Sequence, residues 1–154
     1  MRPLALTIVM SFLAGILSNV LLEIFLKNRV PLLGSFAGLE LSHNPGIAFG
    51  MRLPPLLQTI LIVIALIVVG WLALQSVDPR KNANYQLSII NDQTGYGLIM
   101  GGGLANLLDR AMDGLVTDYI QVGSFPVFNV ADSCISIGVA ILLLEVLVSR
   151  KRKL

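Results

Sequence analysis

The chain has 154 residues, of which 55% are hydrophobic and only 13% are charged, and its formal net charge is +2. Because soluble domains carry about 25% charged residues, this composition excludes an ordinary water-soluble domain and indicates a protein embedded in a bilayer. The basic residues lie at the edges of apolar runs and not along an aromatic-studded groove, so we expect no nucleic-acid partner.

Four stretches of the chain approach the length of about 20 mostly apolar residues that a helix needs to cross a bilayer. We predict transmembrane helices over residues 4–26, 55–75, 87–108 and 127–148. The first stretch is longer than the apolar part of a signal peptide and is followed by no small-residue cleavage motif, so we expect it to stay uncleaved. Since the sequence has no visible repeat or low-complexity linker, residues 1–154 are predicted to form a single integral-membrane domain.

The connections between these helices differ in length and composition. Residues 27–53 form the longest connection, and Val30 to Leu41 mixes apolar residues with two glycines, which predicts a small extracytoplasmic β-region between helices 1 and 2. The predicted fold class is therefore an all-α membrane protein with four transmembrane helices and this β-region.

Four spans place both termini on the same side of the membrane, and the basic residues decide which side that is. With cytoplasmic termini, seven basic residues lie inside and four lie outside, in agreement with the positive-inside rule. The inner set is Arg2, Arg80, Lys81, Arg150, Lys151, Arg152 and Lys153, and the outer set is Lys27, Arg29, Arg52 and Arg110. The basic cluster at the C-terminus is also suited to contact anionic membrane lipid.

Ionisable side chains at membrane depth are costly and mark function by default, which draws attention to Asp118 and Asp132. Both lie near the outer ends of the last two helices or in their connection, and Gly123 and Pro126 allow that connection to fold back. Two adjacent carboxylates share one proton, so the ionised one can activate water while the protonated one polarises a carbonyl. This aspartyl chemistry requires no metal or other cofactor. The alternative is that Asp132 is only an N-cap and Asp118 only an acid in a surface loop.

Other polar groups are expected at the same level of the membrane. Asn44 lies in the first outer connection, and Asn106 and Arg110 share a face of the third helix because they are four residues apart. An amide and a guanidinium beside two acids suit the binding of a substrate backbone. The glycines from Gly101 to Gly103 indicate close packing of helices and not a nucleotide-binding loop.

The chain has one histidine and one cysteine, and neither indicates a metal site or a nucleophile. His43 falls outside the apolar runs and is interpreted as a loop residue in preference to a catalytic base. Cys134 has no partner for an intramolecular disulfide and lies in an apolar stretch, so it is interpreted as a buried packing residue.

Four segments, taken in order, share their pattern with one known family. Asn44-Pro-Gly-Ile-Ala-Phe-Gly50 resembles Asn-x-Gly-x-Ala-Phe, and Gly101 to Arg110 resembles Gly-Gly-Ala-x-Gly-Asn-x-x-Asp-Arg. Val116-Thr-Asp-Tyr-Ile120 resembles Val-x-Asp-Phe-Ile, and Phe128-Asn-Val-Ala-Asp-Ser133 resembles Phe-Asn-x-Ala-Asp-Ser/Thr. These are the motif blocks of the lipoprotein signal peptidases, also called signal peptidase II, and the resemblance covers nearly the whole chain.

The resemblance implies that Asp118 and Asp132 are the catalytic aspartates. The residues that it implies line the active site or support the substrate are Asn44, Gly46, Asn106, Arg110 and Asn129. In the family the first span ends in Asp-Gln-x-Ser/Thr-Lys. Here Glu23 replaces the aspartate and Lys27 is kept, while the glutamine and the hydroxyl are missing.

The resemblance further implies an intramembrane aspartyl endopeptidase that removes signal peptides from diacylglyceryl-modified prolipoproteins, cleaving just before the lipidated cysteine. The implied location is the bacterial cytoplasmic (inner) membrane, with the active site toward the outer face. The expected partners are lipidated prolipoprotein substrates and membrane lipid, with no cofactor, and we expect a monomer.

Two other classes of function use the same residues. A small transporter or proton channel would use the acids as a proton relay, although such sites usually lie near the membrane midplane between repeats. A non-catalytic assembly factor would use the polar residues only to hold helices together.

Overall fold

The computed structural model describes residues 2–46, 53–76 and 92–151, and within these ranges the chain forms four helices and three strands. The helices are α1 (Arg2–Phe25), α2 (Pro55–Gln75), α3 (Asp92–Asp113) and α4 (Val130–Lys151). The strands are β1 (Val30–Leu33) and β2 (Ala37–Asn44), between α1 and α2, and β3 (Val116–Val122), between α3 and α4.

Three of the helices are long and apolar enough to cross a bilayer, over Pro3–Phe25, Pro55–Gln75 and Val130–Val148. The remaining helix, α3, has 22 residues and is about 33 Å long at 1.5 Å per residue. Its sequence is richer in glycine and polar residues, and it packs against each of the other three helices. The predicted membrane fold of four helices with a small β-region is confirmed, with α3 as the helix that the others surround.

The end of α3 and the start of α4 differ from the predicted boundaries. α3 continues beyond residue 108 to Asp113 and stops where Gly114 adopts the left-handed backbone conformation, with φ 86°. α4 begins at Val130 and not at residue 127, because the side chain of Asn129 caps its first turn. The predicted start of the third helix at residue 87 lies outside the described residues.

Glycines on α3 let its backbone approach two neighbouring helices closely. On the α1 side, a Cβ added to Gly101 would overlap the hydroxyl of Ser11. Ser11 also donates a hydrogen bond across this contact to the carbonyl of Gly97, at 3.3 Å. On the α4 side, Gly102 lies directly against the backbone of Ala131. Small residues at helix contacts permit this tight packing, as the glycine pattern predicts.

The three strands form one antiparallel sheet with β2 in the centre. β1 and β2 are a hairpin whose turn contains Gly34 at φ 57°. β3 pairs with β2 from the other outer connection, with Thr117 opposite His43 and Val116 opposite Asn44. β3 has no counterpart among the predicted elements, and the interpretation of His43 as a loop residue is wrong, because His43 lies within β2.

The chain order brings four helix ends to the sheet. α1 leads into β1, β2 leads toward α2, α3 leads into β3, and β3 leads into α4. The C-terminal ends of α1 and α3 and the N-terminal ends of α2 and α4 therefore lie at the sheet end of the bundle. Gln58 in the first turn of α2 fixes this arrangement, because it donates hydrogen bonds to the carbonyls of Pro45 and Leu53.

Gly101→Ala is expected to destabilise the helix bundle by about 1–3 kcal/mol, because the added methyl group overpacks the contact with α1. Its Cβ would lie 2.5 Å from the carbonyl oxygen of Ile8, which is backbone and cannot move aside as a side chain can. The measurement is thermal unfolding of the purified protein in detergent micelles. Gly70→Ala is the matched control, since its Cβ meets only the flexible end of Met100 at 3.6 Å. Equal unfolding temperatures for the two variants would contradict the close packing of α1 on α3.

Candidate active site

Asp118 lies in the middle of β3, and both of its carboxylate oxygens accept hydrogen bonds from side-chain amides. Asn44, the last residue of β2, donates from Nδ2 to Asp118 Oδ2 at 3.0 Å. Asn129 donates from Nδ2 to Asp118 Oδ1, also at 3.0 Å. Only 1% of Asp118 is exposed, so the alternative of an acid in a surface loop is wrong.

Asp132 is the third residue of α4 and forms a reciprocal pair of hydrogen bonds with Asn129. Asn129 Oδ1 accepts from the Asp132 N–H at 2.9 Å, and Asp132 Oδ2 accepts from the Asn129 N–H at 3.3 Å. This is a capping box, in which the N-cap residue and the third helical residue satisfy each other's backbone N–H. Asn129 is the N-cap, so the alternative in which Asp132 serves only as an N-cap is wrong.

The side chains of Asn129 and Asn106 join the two aspartates. Asn129 Nδ2 lies 3.0 Å from Asp118 Oδ1 and 3.0 Å from Asn106 Oδ1. Asn106 Nδ2 then donates to Asp132 Oδ1 at 2.7 Å. The hydrogen-bonded network therefore runs without a break from Asp118 through two amides to Asp132, and both carboxylates line the same cavity.

Burial raises the pKa of Asp118 from its ordinary 3.8 to about 7. The hydrogen bond from Asn44 and the positive charge of Arg110 act in the opposite direction, while the negative charge of Asp132 raises the pKa further. Desolvation dominates because the ionised carboxylate loses the water that stabilises it. A carboxyl group with this pKa gains and loses a proton near neutral pH, as general acids and bases do.

The cavity beside the two aspartates has a volume of about 690 Å³, which is within the usual range for ligand sites. Its polar wall contains Asn44, Asn106, Arg110, Asp118, Asp132, Ser133 and Ser136. Its apolar wall contains Ile62, Val116, Phe125, Val127, Phe128, Ile135 and Ile137. α2, α3 and α4 each contribute to the lining, so the site combines a few polar groups with a surface suited to apolar side chains.

Arg110 lies one helical turn after Asn106 on the cavity wall, and its guanidinium group is hydrogen-bonded to the segment that follows β2. Its Nη2 donates to the carbonyl of Gly46 at 2.7 Å, and the Gly46 N–H donates to Asn44 Oδ1 at 2.8 Å. Arg110 Nε is buried and has no hydrogen-bond partner in the part of the chain that the structure describes. The sequence-predicted residues Asn44, Gly46 and Arg110 are thus in contact, and one buried donor remains unused beside the cavity.

Asp109 supports the site but is absent from the predicted set of site residues. Its Oδ2 accepts hydrogen bonds from the Thr117 N–H at 2.7 Å and from Asn19 Nδ2 at 3.0 Å. Asp109, which belongs to α3, therefore holds Thr117 in place, the residue before Asp118. Through Asn19 it also joins this start of β3 to α1. The signal available in the sequence is Asn19 itself, a buried amide within an apolar span that requires a polar partner.

The structure does not bring Glu23 and Lys27 into this network. Glu23 Oε1 pairs with His43 Nε2 at 3.3 Å, on an exposed surface. Lys27 Nζ donates to the Glu23 carbonyl at 3.4 Å. Neither side chain contacts an aspartate of the pair among the described residues. Cys134, predicted to be buried, is a half-buried free thiol on α4.

Comparison with known proteins identifies relatives over most of the chain. A family model described as signal peptidase (SPase) II matches residues 7–148. A lipoprotein signal peptidase of Mesorhizobium japonicum is 38% identical over 122 residues, which cover 77% of this chain and 68% of that one. A lipoprotein signal peptidase of Halothermothrix orenii is 36% identical over 118 residues, which cover 77% and 75% of the two chains.

Solved structures are similar to the fold as a whole. A bacterial membrane enzyme with 26% sequence identity superimposes with a TM-score of 0.76, covering 97% of this chain and 92% of that one. A second bacterial membrane enzyme, at 24% identity, shares the fold with a TM-score of 0.69 over 93% of each chain.

Titration of the Asp118 carboxyl group is expected near pH 7, and Asn44→Ala should raise its pKa further. The sign follows from the hydrogen bond, since a donor to the ionised carboxylate favours that form and its removal favours the protonated form. Infrared difference spectra of the carboxyl C=O stretch between acidic and basic pH measure the titration. Asp118→Asn is the control that assigns the band. A pKa near 4, or a downward shift in Asn44→Ala, would contradict the described burial.

Proposed function

This chain belongs to the signal peptidase II family, the lipoprotein signal peptidases, and we propose that Asp118 and Asp132 are its catalytic pair. As a member of the family it is an aspartic peptidase of a bacterial membrane, and it removes signal peptides from prolipoproteins. The transporter and assembly-factor alternatives are therefore set aside. The observation that carries the proposal is that both carboxylates line one cavity and are joined through the amides of Asn129 and Asn106.

The two carboxyl groups divide the acid and base roles. Asp118, with its pKa raised to about 7, holds the shared proton and donates it to the oxygen of the scissile carbonyl. Asp132 is ionised and takes a proton from a water molecule as the water oxygen bonds to the carbonyl carbon. The hydrogen bonds from Asn106 Nδ2 and the Asn129 N–H stabilise that negative charge before the reaction.

Breakdown of the tetrahedral intermediate returns both carboxyl groups to their starting protonation states. Asp132 gives the proton that it took from water to the leaving nitrogen, and the C–N bond breaks. The hydroxyl that received the proton of Asp118 becomes the new carbonyl and returns its proton to that carboxylate. The pair is ready for another cycle, and the reaction has consumed only the peptide bond and one water molecule.

The polar residues around the pair have two different tasks in this proposal. Asn44, Asn106 and Asn129 orient the carboxylates, because their side-chain amides already donate to them or to one another. Arg110 contacts the substrate, because its buried Nε has no partner among the described residues and lies beside the cavity. An unwound peptide has carbonyl groups that require such a donor, since an unpaired buried polar group costs about 1–3 kcal/mol.

We assign cleavage to the bond just before a diacylglyceryl-modified cysteine at the outer face of the cytoplasmic membrane. The distribution of basic residues supports cytoplasmic termini, and α1 ends and α4 begins at the sheet end, which is then the outer end. The apolar wall suits a signal peptide, and acyl chains left in the bilayer contribute about 0.8 kcal/mol per CH₂ to substrate retention. Residues 1–154 act in this proposal as one membrane domain and as a monomer.

Asp118→Asn and Asp132→Asn are each expected to lower cleavage by at least about a thousandfold, because catalytic groups that act as a unit lose nearly the whole rate together. The assay is the gel shift of a purified lipidated precursor incubated with enzyme in detergent. Asp113→Asn is the matched control, an exposed acid at the end of α3 that should keep full activity.

Cleavage within about tenfold of the unsubstituted rate in either member of the pair would reject the catalytic assignment. A precursor that lacks the diacylglyceryl group tests the substrate assignment separately. Its cleavage at the same rate as the lipidated precursor would contradict the role of the acyl chains while leaving the catalytic pair unaffected.

Arg110→Lys is expected to lower cleavage by roughly tenfold or more, because lysine cannot supply both the Nε donor and the Nη2 hydrogen bond to the Gly46 carbonyl. Arg110→Ala should lower it further. Arg29→Lys is the control for a conservative change at an arginine on the outer surface, where its hydrogen bonds to Gly34, Ser35 and Gln121 are exposed. Full activity in Arg110→Lys would show that the residue serves only as a cation at the membrane surface.

A further inference from the structure

Tyr119 follows Asp118 in β3 and is almost completely buried, with 2% exposure. Its hydroxyl group makes two hydrogen bonds with different elements. It donates to Ser18 Oγ on α1 at 2.6 Å, and it accepts from the N–H of Val130, the first residue of α4, at 3.2 Å. Ser18 Oγ in turn donates to the Ala14 carbonyl at 2.7 Å.

These contacts form a directed chain from the start of α4 through β3 to α1. The N–H of Val130 is one of the first-turn donors that no helix can satisfy internally, so a partner is required when this end is buried. Successive side chains of a strand point to opposite faces. Accordingly Asp118 lines the cavity, whereas Tyr119 is turned toward α1 and does not line it.

We propose that the Tyr119 hydroxyl is a positioning residue that sets the distance and orientation between Asp118 and Asp132. The inference rests on the proposed catalytic pair. The two carboxylates belong to separate elements, β3 and α4, which meet at the backbone pairing of Ile120 with Phe128. Besides this pairing and the Asn129 amide, the hydroxyl of Tyr119 gives a further fixed point, because it holds α4 at its first residue.

α1 is the fixed support for this contact. Next to Ser18, a Cβ added to Gly15 would lie 2.8 Å from Ala105 of α3 and 3.2 Å from Ala131 of α4, so the three helices are in close contact there. Ala131 immediately precedes Asp132. The same stretch of α1 thus restrains α4 in two ways, by the packing of Gly15 against Ala131 and by the hydrogen bonds that join Ser18 through Tyr119 to Val130. Small displacements of a reacting group lower catalytic rates strongly, which makes this restraint relevant to turnover.

Tyr119→Phe removes the hydroxyl and keeps the buried ring, so it separates positioning from packing. On a lipidated precursor we expect kcat about tenfold lower and KM within about twofold of the unsubstituted enzyme, because the substrate does not touch this side chain. Ser18→Ala should lower kcat in the same direction, and Ser18→Thr, which keeps a hydroxyl, should restore it. The double variant Tyr119→Phe with Ser18→Ala should be no slower than Tyr119→Phe, as expected for two members of one contact.

Tyr96→Phe is the matched control, since this tyrosine lies near the opposite end of α3, 14 residues before Arg110. It should leave kcat unchanged. Thermal unfolding is recorded for every variant, so that a role in packing alone appears as a lower unfolding temperature with an unchanged kcat. If Tyr119→Phe does not fold, the two Ser18 variants test the inference instead. A lower kcat in Ser18→Ala that is restored in Ser18→Thr supports the positioning role, and an unchanged kcat in Ser18→Ala rejects it.

An unchanged kcat in Tyr119→Phe, or a loss that appears only in KM, overturns the inference. The Asp118→Asn and Asp132→Asn variants separate this failure from failure of the catalytic assignment. If they are inactive while Tyr119→Phe is fully active, only the positioning role is rejected. If they remain active, the catalytic pair is rejected and the positioning role with it.

Discussion

The side-chain amide of Asn129 is the interaction on which the rest of this site depends. It is completely buried, it caps α4, and it donates toward both Asp118 and Asn106. One residue therefore fixes the first turn of a helix and the positions of two carboxylates at the same time. A buried polar network of this kind is stable only when its members are satisfied, so each position restricts the geometry of the next.

The glycines of α3 make this polar network possible at the edge of a membrane. They let α1 and α4 approach the α3 backbone closely, so that the helices carrying Asn106 and Asp132 are in direct contact. Burial raises the pKa of Asp118, because an ionised carboxylate is poorly stabilised away from water. The glycines thus serve the close packing of the bundle, while the burial of Asp118 on β3 gives a carboxyl group able to exchange a proton near neutral pH.

The sheet holds Asp118 in place beside its hydrogen-bond donor Asn44. Its third strand carries Asp118 and its central strand ends at Asn44, so a backbone ladder holds a carboxylate beside its amide donor. Asp109 fixes the start of the same strand to the helix bundle through the Thr117 N–H. A carboxylate on a strand and another on a helix can be placed at the same cavity only if the two elements are joined rigidly, and these hydrogen bonds provide that rigidity.

The sequence by itself determined the membrane class and the number of helices, and it singled out Asp118 and Asp132 as the proposed catalytic pair. Each of these follows from a local property: the length of an apolar run, or the cost of a charge at membrane depth. Only the tertiary structure decided the existence of β3, the capping role of Asn129, the contribution of Asp109 and the position of Glu23 beside His43. Alternation of β-branched and aromatic residues between Gly114 and Gly123 indicates a strand, but a strand of 7 residues needs a partner, and here that partner lies in the first outer connection. The contacts of the site were not predictable for the same physical reason, namely that they join distant parts of the chain. Asn44 and Asp118 are separated by 74 positions and meet only when the sheet forms.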